Sequence, residues 1–502
     1  MRFDFVVVGG GTAGCVLAAR LSEDSDATVL LVEAGGDERR PTVEVPDRWA
    51  DNLGTETDWQ YQTVLQPSTG RAYDAPRGRV LGGSGSINCM THLRGHRLDF
   101  EDWSALGAKG WDYAGVLPYF RRSEHVPDGD QRYRGTGGPL QPRVSGEASR
   151  VGQRFLASAT RLGFRINEDF AGPDMEGVGY TESLVLHGRR ESTATAYLRP
   201  VMDRPNLTVA TDTLVRGLVV EGAACRGVRV VRDGAEQVVE AGEVVLAAGA
   251  IGSPHLLLLA GIGPDAQLAA AGVRTLHDLP GVGQNLQDHV LLSGIRYRAD
   301  RPVGDAGLGG ATLLARGDAG HHGPDLQINT MNIDYFMPWQ GGPVEHPITF
   351  GVGHMRPHSR GSVTVVSADP AVAPLIDPGY LREQHDLDML VRGIEILDAI
   401  VQDGAFAEWG GRSDSTWILS RDRAGVEAAV RDAVGSYFHL SGTCRTGLDA
   451  DAVVDPELRV HGIDRLRVAD ASVMPNGVSC NTNAAVVMIG EKAADLIRGR
   501  SA

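Results

Sequence analysis

A glycine-rich turn between a strand and a helix constrains this chain more than any other feature. The apolar, β-branched run from Phe3 to Val8 leads into Gly9-Gly10-Gly11-Thr12-Ala13-Gly14, and apolar residues then recur at helical spacing from Thr12 to Ser22. A second apolar run, Thr28 to Val32, is closed by Glu33. Strand, turn, helix and strand within about 30 residues make the βαβ unit that binds dinucleotides, built on a buried parallel strand. Gly9 permits the tight turn, Gly11 lets the backbone approach a pyrophosphate, and Gly14 allows close helix–strand packing. The helix start offers free N–H groups and a partial positive charge to the anion. Glu33 lies 19 residues past Gly14, where a carboxylate accepts ribose hydroxyls and repels a 2′-phosphate. A plain glycine-rich turn leaves Glu33 unexplained. NAD and FAD both satisfy this fingerprint.

The 502 residues correspond to about three domains or one large enzyme. With 42 % hydrophobic and 22 % charged residues, the chain has ordinary globular usage and can bury a substantial core, which excludes disorder as its dominant state. A formal charge of −16 argues against nucleic-acid binding, since phosphate neutralisation needs a positive face. Glycine, at 65 of 502 residues, is the outlier and points to tight turns and close backbone approach. Five scattered cysteines without a CxxC pair (Cys15, Cys89, Cys225, Cys444, Cys480) argue against a disulfide framework and a structural zinc. Cys89, Cys444 and Cys480 are expected to be small packing residues, not redox thiols, because no resolving cysteine neighbours them. Asp4 and the following glycines break the signal-peptide pattern, so a mature start in a reducing, cytoplasmic compartment is expected. Val244 to Gly263 carries no formal charge over 20 residues, long enough to span a bilayer. Its glycines, Pro254 and His255 would leave backbone groups unpaired in lipid. A strand from Glu243 to Ala248, a turn and a helix start are expected there, and no membrane span.

Elsewhere, Gly35 to Gly95 reads as an extended segment rich in Gly, Pro, Asp and Thr, and Trp103 to Ser123 as a helix. Alternation from Leu207 to Val231 reads as antiparallel strands. Ser362 to Ser367 reads as a strand, Asp386 to Val401 as an amphipathic helix and Gly490 to Arg498 as a C-terminal helix. Parallel βαβ at the start and antiparallel strands in the middle imply two lobes in an α/β chain.

Ordered motifs along the whole chain resemble those of the GMC (glucose–methanol–choline) oxidoreductases. Pro76 to Asn88, PRGRVLGGSGSIN, is similar to the first signature of that family, and Ala250 to Gly263, AIGSPHLLLLAGIG, to the second. Further similar segments are Leu279 to His289, Arg356 to Pro370, Ile376 to Leu381, Phe438 to Gly447 and Val468 to Asp495. The resemblance implies a Rossmann-like FAD-binding domain (1–150, 200–290 and 431–502) interleaved with an α+β substrate domain built on an antiparallel sheet (151–199 and 291–430). It places Gly9, Gly11, Thr12, Ala13 and Gly14 at the FAD pyrophosphate and Glu33, with Ala34, at the adenosine. Val80, Gly83, Asn88, Cys89, Met90 and Thr91 would run beside the flavin, and Val215 would touch the adenine through its backbone. Asp470 and Ala471 fall near the ribityl–phosphate region and Asn483 near the pyrimidine end of the flavin, with Thr482 and Phe438 as further cofactor contacts. Ile87 stands where some members carry a histidine bonded covalently to FAD, so non-covalent FAD is expected.

The implied activity is oxidation of a primary alcohol to the aldehyde, with hydride passing to flavin N5 and electrons onward to O2 or another acceptor. His439 occupies the position of the family's base, and an imidazole suits that task near neutral pH. Asn481 stands where other members carry a second histidine. It can orient the alcohol oxygen but cannot titrate. Leu440 replaces the usual proline after the base. The cluster from Asp334 to Trp339 offers Tyr335, Phe336 and Trp339, with Phe438, as substrate contacts, pointing to an aromatic or aliphatic alcohol more than a sugar. A non-redox, hydroxynitrile-lyase-like use of the same scaffold is the alternative. No metal is called for, and the oligomeric state is not legible.

Overall fold

The computed structural model describes residues 2–144, 149–304, 310–318, 320, 323–331, 334–336, 342–410, 412–413 (backbone) and 422–500. The opening βαβ unit consists of β1 (Arg2–Val8), α1 (Thr12–Leu21) and β2 (Val29–Val32), with the two strands parallel. Val6, Val7, Val29 and Leu31 have no solvent exposure, and each fully buried side chain of this kind contributes about 1.5–3 kcal/mol. That burial explains the unbroken apolar runs.

Two helices, α2 (Arg97–Ala105) and α3 (Tyr113–Ser123), stand where one was expected over 103–123. Gly107 and Gly110, at φ +102° and +79°, break the helix between them, and Asp112 restarts it by accepting the Gly115 N–H at 2.8 Å. The chain continues through α4 (Arg150–Arg161) and β3 (Gly177–Tyr180). Next come β4 (Leu207–Ala210) and a meander of β5 (Thr213–Glu221), β6 (Ala224–Arg232) and β7 (Ala235–Leu246). The meander is antiparallel as expected, but β4 pairs parallel with β2. Alternation reports which face of a strand is buried and carries no information on its direction. The second half of β7 runs parallel to β1, so the first sheet has the order β4-β2-β1-β7-β6-β5. Helix α5 (Gly249–Leu259) follows β7 directly. No helix among the described residues is long and apolar enough to cross a membrane.

The second sheet adds β8 (Val290–Arg298), β9 (Ala311–Ala315), β10 (Leu326–Met331) and β11 (Pro347–His354) in the antiparallel order β3-β9-β10-β11-β8. Helix α6 (Gln384–Gln402) packs on β10 and β11. Leu326 and Ile328 of β10 join the apolar core on that side. Gln327 and Asn329, alternating with them, face the opposite way. After α7 (Arg423–Ala433), β12 (Val434–Ser436) pairs with β8, whereas β13 (Leu466–Val468) returns to β7 in the first sheet. Helix α8 (Asn483–Ile497) lies along α1 and begins seven residues before the expected Gly490. Its first turns, Ala484 to Met488, are buried all round, so they lack the amphipathic period that reveals a helix. A Cβ at Gly490 would lie 3.0 Å from Val16 Cβ, which is how closely the two helices approach.

Candidate active site

A cavity of about 890 Å³ runs between the two sheets, from Glu33 and Val215 past the start of α1 to His439 and Asn481. It lies at the large end of the range for ligand pockets. The start of α1 is bare: Gly11 at the N-cap supplies no side-chain acceptor, and the first turn holds no acidic residue. Its free N–H groups therefore face the cavity unpaired, the arrangement that binds an anion. Three glycines around it leave no room for a side chain. A Cβ at Gly9 (φ +100°) would lie 2.6 Å from Ala247 O, one at Gly14 1.9 Å from Gly9 O, and one at Gly83 2.7 Å from Gly11 Cα.

Glu33 is buried, and its two carboxylate oxygens accept the Gly10 and Gly35 N–H groups at 2.8 and 2.7 Å. Burial pushes its pKa up to about 7 against the pull of those donors. Asp470 accepts from Gly249 N, Ser253 Oγ and Ser472 N, and burial raises its pKa as well. Thr12 Oγ1 donates to Asn483 Oδ1 at 3.0 Å, tying the start of α8 to the start of α1.

Most of the expected site residues meet in this one cavity. Gly9, Gly11, Thr12, Ala13, Glu33, Ala34 and Val215 line one end. Gly83, Ile87, Asn88, Cys89, Thr91, Asp470, Ala471, Thr482 and Asn483 line the middle, and Tyr335, Phe438, His439 and Asn481 the other end. Gly14, Val80 and Met90 stand behind that lining, Val80 and Met90 being almost wholly buried. Phe336 does not line the cavity: its ring lies 5.1 Å from the Arg296 guanidinium. Trp339 lies outside the described residues. Cys444 and Cys480 are buried and form no disulfide, and burial drives both thiols well above their ordinary pKa, as suits packing residues.

His439 is set in place by a tightly held loop after β12. Phe438 has φ +64°, a left-handed conformation costly for a bulky residue. Three hydrogen bonds hold it. Arg77 Nη2 donates to Phe438 O at 2.6 Å, Phe438 N to Ser436 Oγ at 2.8 Å, and His439 N to Asp288 Oδ1 at 2.7 Å. The other oxygen of Asp288 accepts from Ser436 Oγ at 2.5 Å and Tyr380 Oη at 2.6 Å. Leu440 is buried in one apolar cluster with Ala250 and Ile251.

The two nitrogens of His439 have different partners. Nε2 lies 3.2 Å from Asn481 Nδ2, which donates to it, and Nδ1 lies 2.9 Å from His289 Nδ1. Asn481 Oδ1 in turn accepts from Gln327 Nε2 at 3.2 Å. With Nε2 accepting, His439 carries its proton on Nδ1 and gives it to His289. Burial, reinforced by His289 and Arg77, holds the pKa of His439 well below its ordinary value, so the imidazole is neutral at neutral pH.

Sequence reasoning missed Asp288, His289, Gln327, Asn329 and Tyr437. The first two sit in LQDH, a segment quoted only for resemblance. Gln327 and Asn329 carried a usable signal, since two amides alternate with buried apolar residues inside a strand.

Buried neutral histidines also fix a pH dependence. Burial drives His92 and His289 down to about 3 from the ordinary 6.5, so the unfolded chain binds more protons between those values. Their contribution to stability is complete above pH 6.5 and is lost as pH falls toward 3, by about 1.4 kcal/mol per pH unit for each. Urea unfolding is expected to give a smaller free energy at pH 5 than at pH 7. A larger one contradicts the assignment of both as buried and neutral.

Comparison with known proteins gives the family. The GMC oxidoreductase family matches at its N-terminal part over residues 3–291 and at its C-terminal part over residues 357–490. The chain belongs to the GMC oxidoreductase family, whose members are FAD-binding flavoproteins that oxidise CH–OH groups. It is 37 % identical over 530 aligned residues to the oxygen-dependent choline dehydrogenase of Sinorhizobium medicae, covering 100 % of this chain and 96 % of that one. Among solved structures it resembles pyridoxine 4-oxidase from Mesorbium loti, at 35 % identity and TM-score 0.95 over 99 % of both chains. It also resembles a formate oxidase, at 28 % identity and TM-score 0.90 over 99 % of this chain and 98 % of the other.

Proposed function

We propose that the protein oxidises a primary alcohol to the aldehyde with non-covalently bound FAD, His439 serving as the base and Asn481 as its partner. The observation that carries this reading is that the bare start of α1 and the imidazole of His439 open into one cavity. The glycine cradle, the acidic Glu33 and the free N–H groups suit the ADP half of FAD. When bound, FAD supplies a two-electron acceptor that takes hydride from the carbinol carbon at N5 and passes electrons to O2 or another oxidant.

The chain's residues do the rest. Asn481 Nδ2 donates to the alcohol oxygen and steadies it as negative charge develops, while Nε2 of His439 takes the hydroxyl proton. His289 holds the opposite nitrogen and so keeps Nε2 turned to the substrate. In this reading 1–150, 200–290 and 431–502 form the FAD-binding domain and 151–199 and 291–430 the substrate domain. Membership of the two sheets supports the division, with β12 (Val434–Ser436) of the first set crossing to pair in the second sheet just before His439. The oxygen-dependent choline dehydrogenase and the oxidases among the relatives favour O2 as acceptor.

Ile87, nearly buried at 4 % exposure and lining the cavity, has no atom that can bond FAD. Acid precipitation is therefore expected to leave the yellow flavin in the supernatant, and a yellow pellet would contradict non-covalent binding. Anaerobic alcohol should bleach the bound flavin, and under air the same turnover should release peroxide. Flavin that no alcohol bleaches would favour the lyase-like alternative.

A further inference from the structure

Four arginines among the described residues are buried: Arg94, Arg134, Arg190 and Arg296. Three of them face a carboxylate. Arg94 and Arg134 pair with Glu124, and Arg296 pairs with Asp334. Arg190, at 5 % exposure, has no such partner among the described residues. Its guanidinium is held by oxygens that carry no charge. Nε donates to Val43 O at 2.8 Å, and Nη1 donates to Asn88 Oδ1 at 2.9 Å and to Gly85 O at 3.3 Å. Nη2 has no hydrogen-bond partner. Burial pushes its pKa down to about 10, so the side chain is still a cation at neutral pH. A buried charge without a counter-charge is costly and is seldom kept without a use.

The loop that Arg190 grips is part of the cavity wall. Asn88 Oδ1 also accepts the Met90 N–H at 2.9 Å, and since both partners can only donate, the amide oxygen is fixed on the Arg190 side. Gly85 packs on the start of α1, where an added Cβ would lie 2.8 Å from Thr12 Oγ1. Gly83, Asn88, Cys89 and Thr91 of the same loop line the cavity. Cys89 is close enough to act electrostatically on Arg190 and also on Tyr335 and Tyr437, and the Tyr437 and His439 rings are 4.6 Å apart. The lone cation therefore stands behind the stretch of wall between the anion site at α1 and the imidazole. A flavin whose ADP half occupies the first and whose ring reaches the second has to pass that stretch.

We infer that Arg190 is the counter-charge for the negative charge that reduction places on the flavin, and so makes the bound cofactor easier to reduce. A neutral ring that accepts a hydride, two electrons and one proton, becomes an anion. A fixed cation in a site shielded from water favours that state. Arg190 acts on the ring through space and touches no substrate. The inference rests on FAD occupying this cavity and adds what sets its reduction potential.

The test uses the holoenzyme and an anaerobic dithionite titration against a reference dye, which needs no alcohol. Arg190→Gln keeps a donor for the loop but not the charge. It is expected to shift the reduction equilibrium about 10-fold toward oxidised flavin, about 30 mV for a two-electron couple. Arg190→Lys keeps the charge but loses the forked geometry, and should stay within about 3-fold of the wild type. A second measurement needs no variant: nitrogen NMR of labelled FAD in the reduced wild-type holoenzyme should show an unprotonated N1 at pH 6. Equal potentials in the wild type and the glutamine variant overturn the inference even if that variant binds FAD more weakly, since the charge would then serve the pyrophosphate or the loop alone. A potential that falls as far in the lysine variant as in the glutamine one, or a protonated N1, overturns it as well. Alcohol oxidation fails separately, if no alcohol bleaches the flavin, and that result leaves the potentials to decide the role of Arg190.

Discussion

Replacing His439 by Ala is expected to slow anaerobic flavin reduction by about 10²- to 10⁴-fold, the usual contribution of a positioned base, while the protein stays yellow. The two effects separate because different residues hold the cofactor and take the proton. FAD is held in this account by the bare start of α1, by Glu33 and by Asp470, none of which touches the imidazole. The substitution removes the lone pair on Nε2 but leaves Asn481 in place, still held by Gln327. Binding of alcohol should therefore survive better than its oxidation, and the loss should fall on the reduction rate more than on affinity. A variant that reduces flavin at the wild-type rate would remove His439 from the chemistry.

The second large effect is on stability. Asp288 is 4 % exposed and accepts three hydrogen bonds, from His439 N, Ser436 Oγ and Tyr380 Oη, beside the part-buried Arg77 guanidinium, whose charge it faces. Burial raises its pKa against those donors and the Arg77 charge, the signature of a carboxylate retained for what it organises. Asp288→Ala would strand three hydrogen-bond donors at once and leave the Arg77 charge without its facing carboxylate. Removing one partner of such a buried set costs about 3–5 kcal/mol, and the positive φ of Phe438 would lose one of its three restraints. Urea unfolding should reveal that loss, with Asp288→Asn milder because its amide oxygen can still accept from His439 N. A loss below about 1 kcal/mol for the alanine variant would show that the loop is held by other means.

How much of this was legible in the sequence depends on how local the signal is. The opening βαβ unit was readable because its strands, turn glycines and Glu33 lie within one short stretch, each with a distinct physical reason. The parallel pairing of β4 was not, since strand direction is set by what the chain does between strands. The start of α8 was hidden by burial on every side. At the site, His439 and Asn481 were reachable only through motif resemblance, being 42 residues apart in the chain. Gln327 and Asn329 could be picked out as amides alternating with apolar residues, but that Thr312 and Tyr437 lie beside them depends on packing between distant segments, which no local pattern encodes. The aromatic cluster after Asp334 misled in part, because Tyr335 reaches the cavity while Phe336 turns to Arg296. Neighbouring residues in an irregular segment need not share a destination.

The most direct measurement is the visible spectrum of the purified protein during anaerobic addition of an aromatic primary alcohol. The account predicts an oxidised flavin spectrum at the start and its full bleaching as the aldehyde forms. Colourless protein that stays inert after incubation with FAD, or a flavin spectrum unchanged by every alcohol tried, would contradict it.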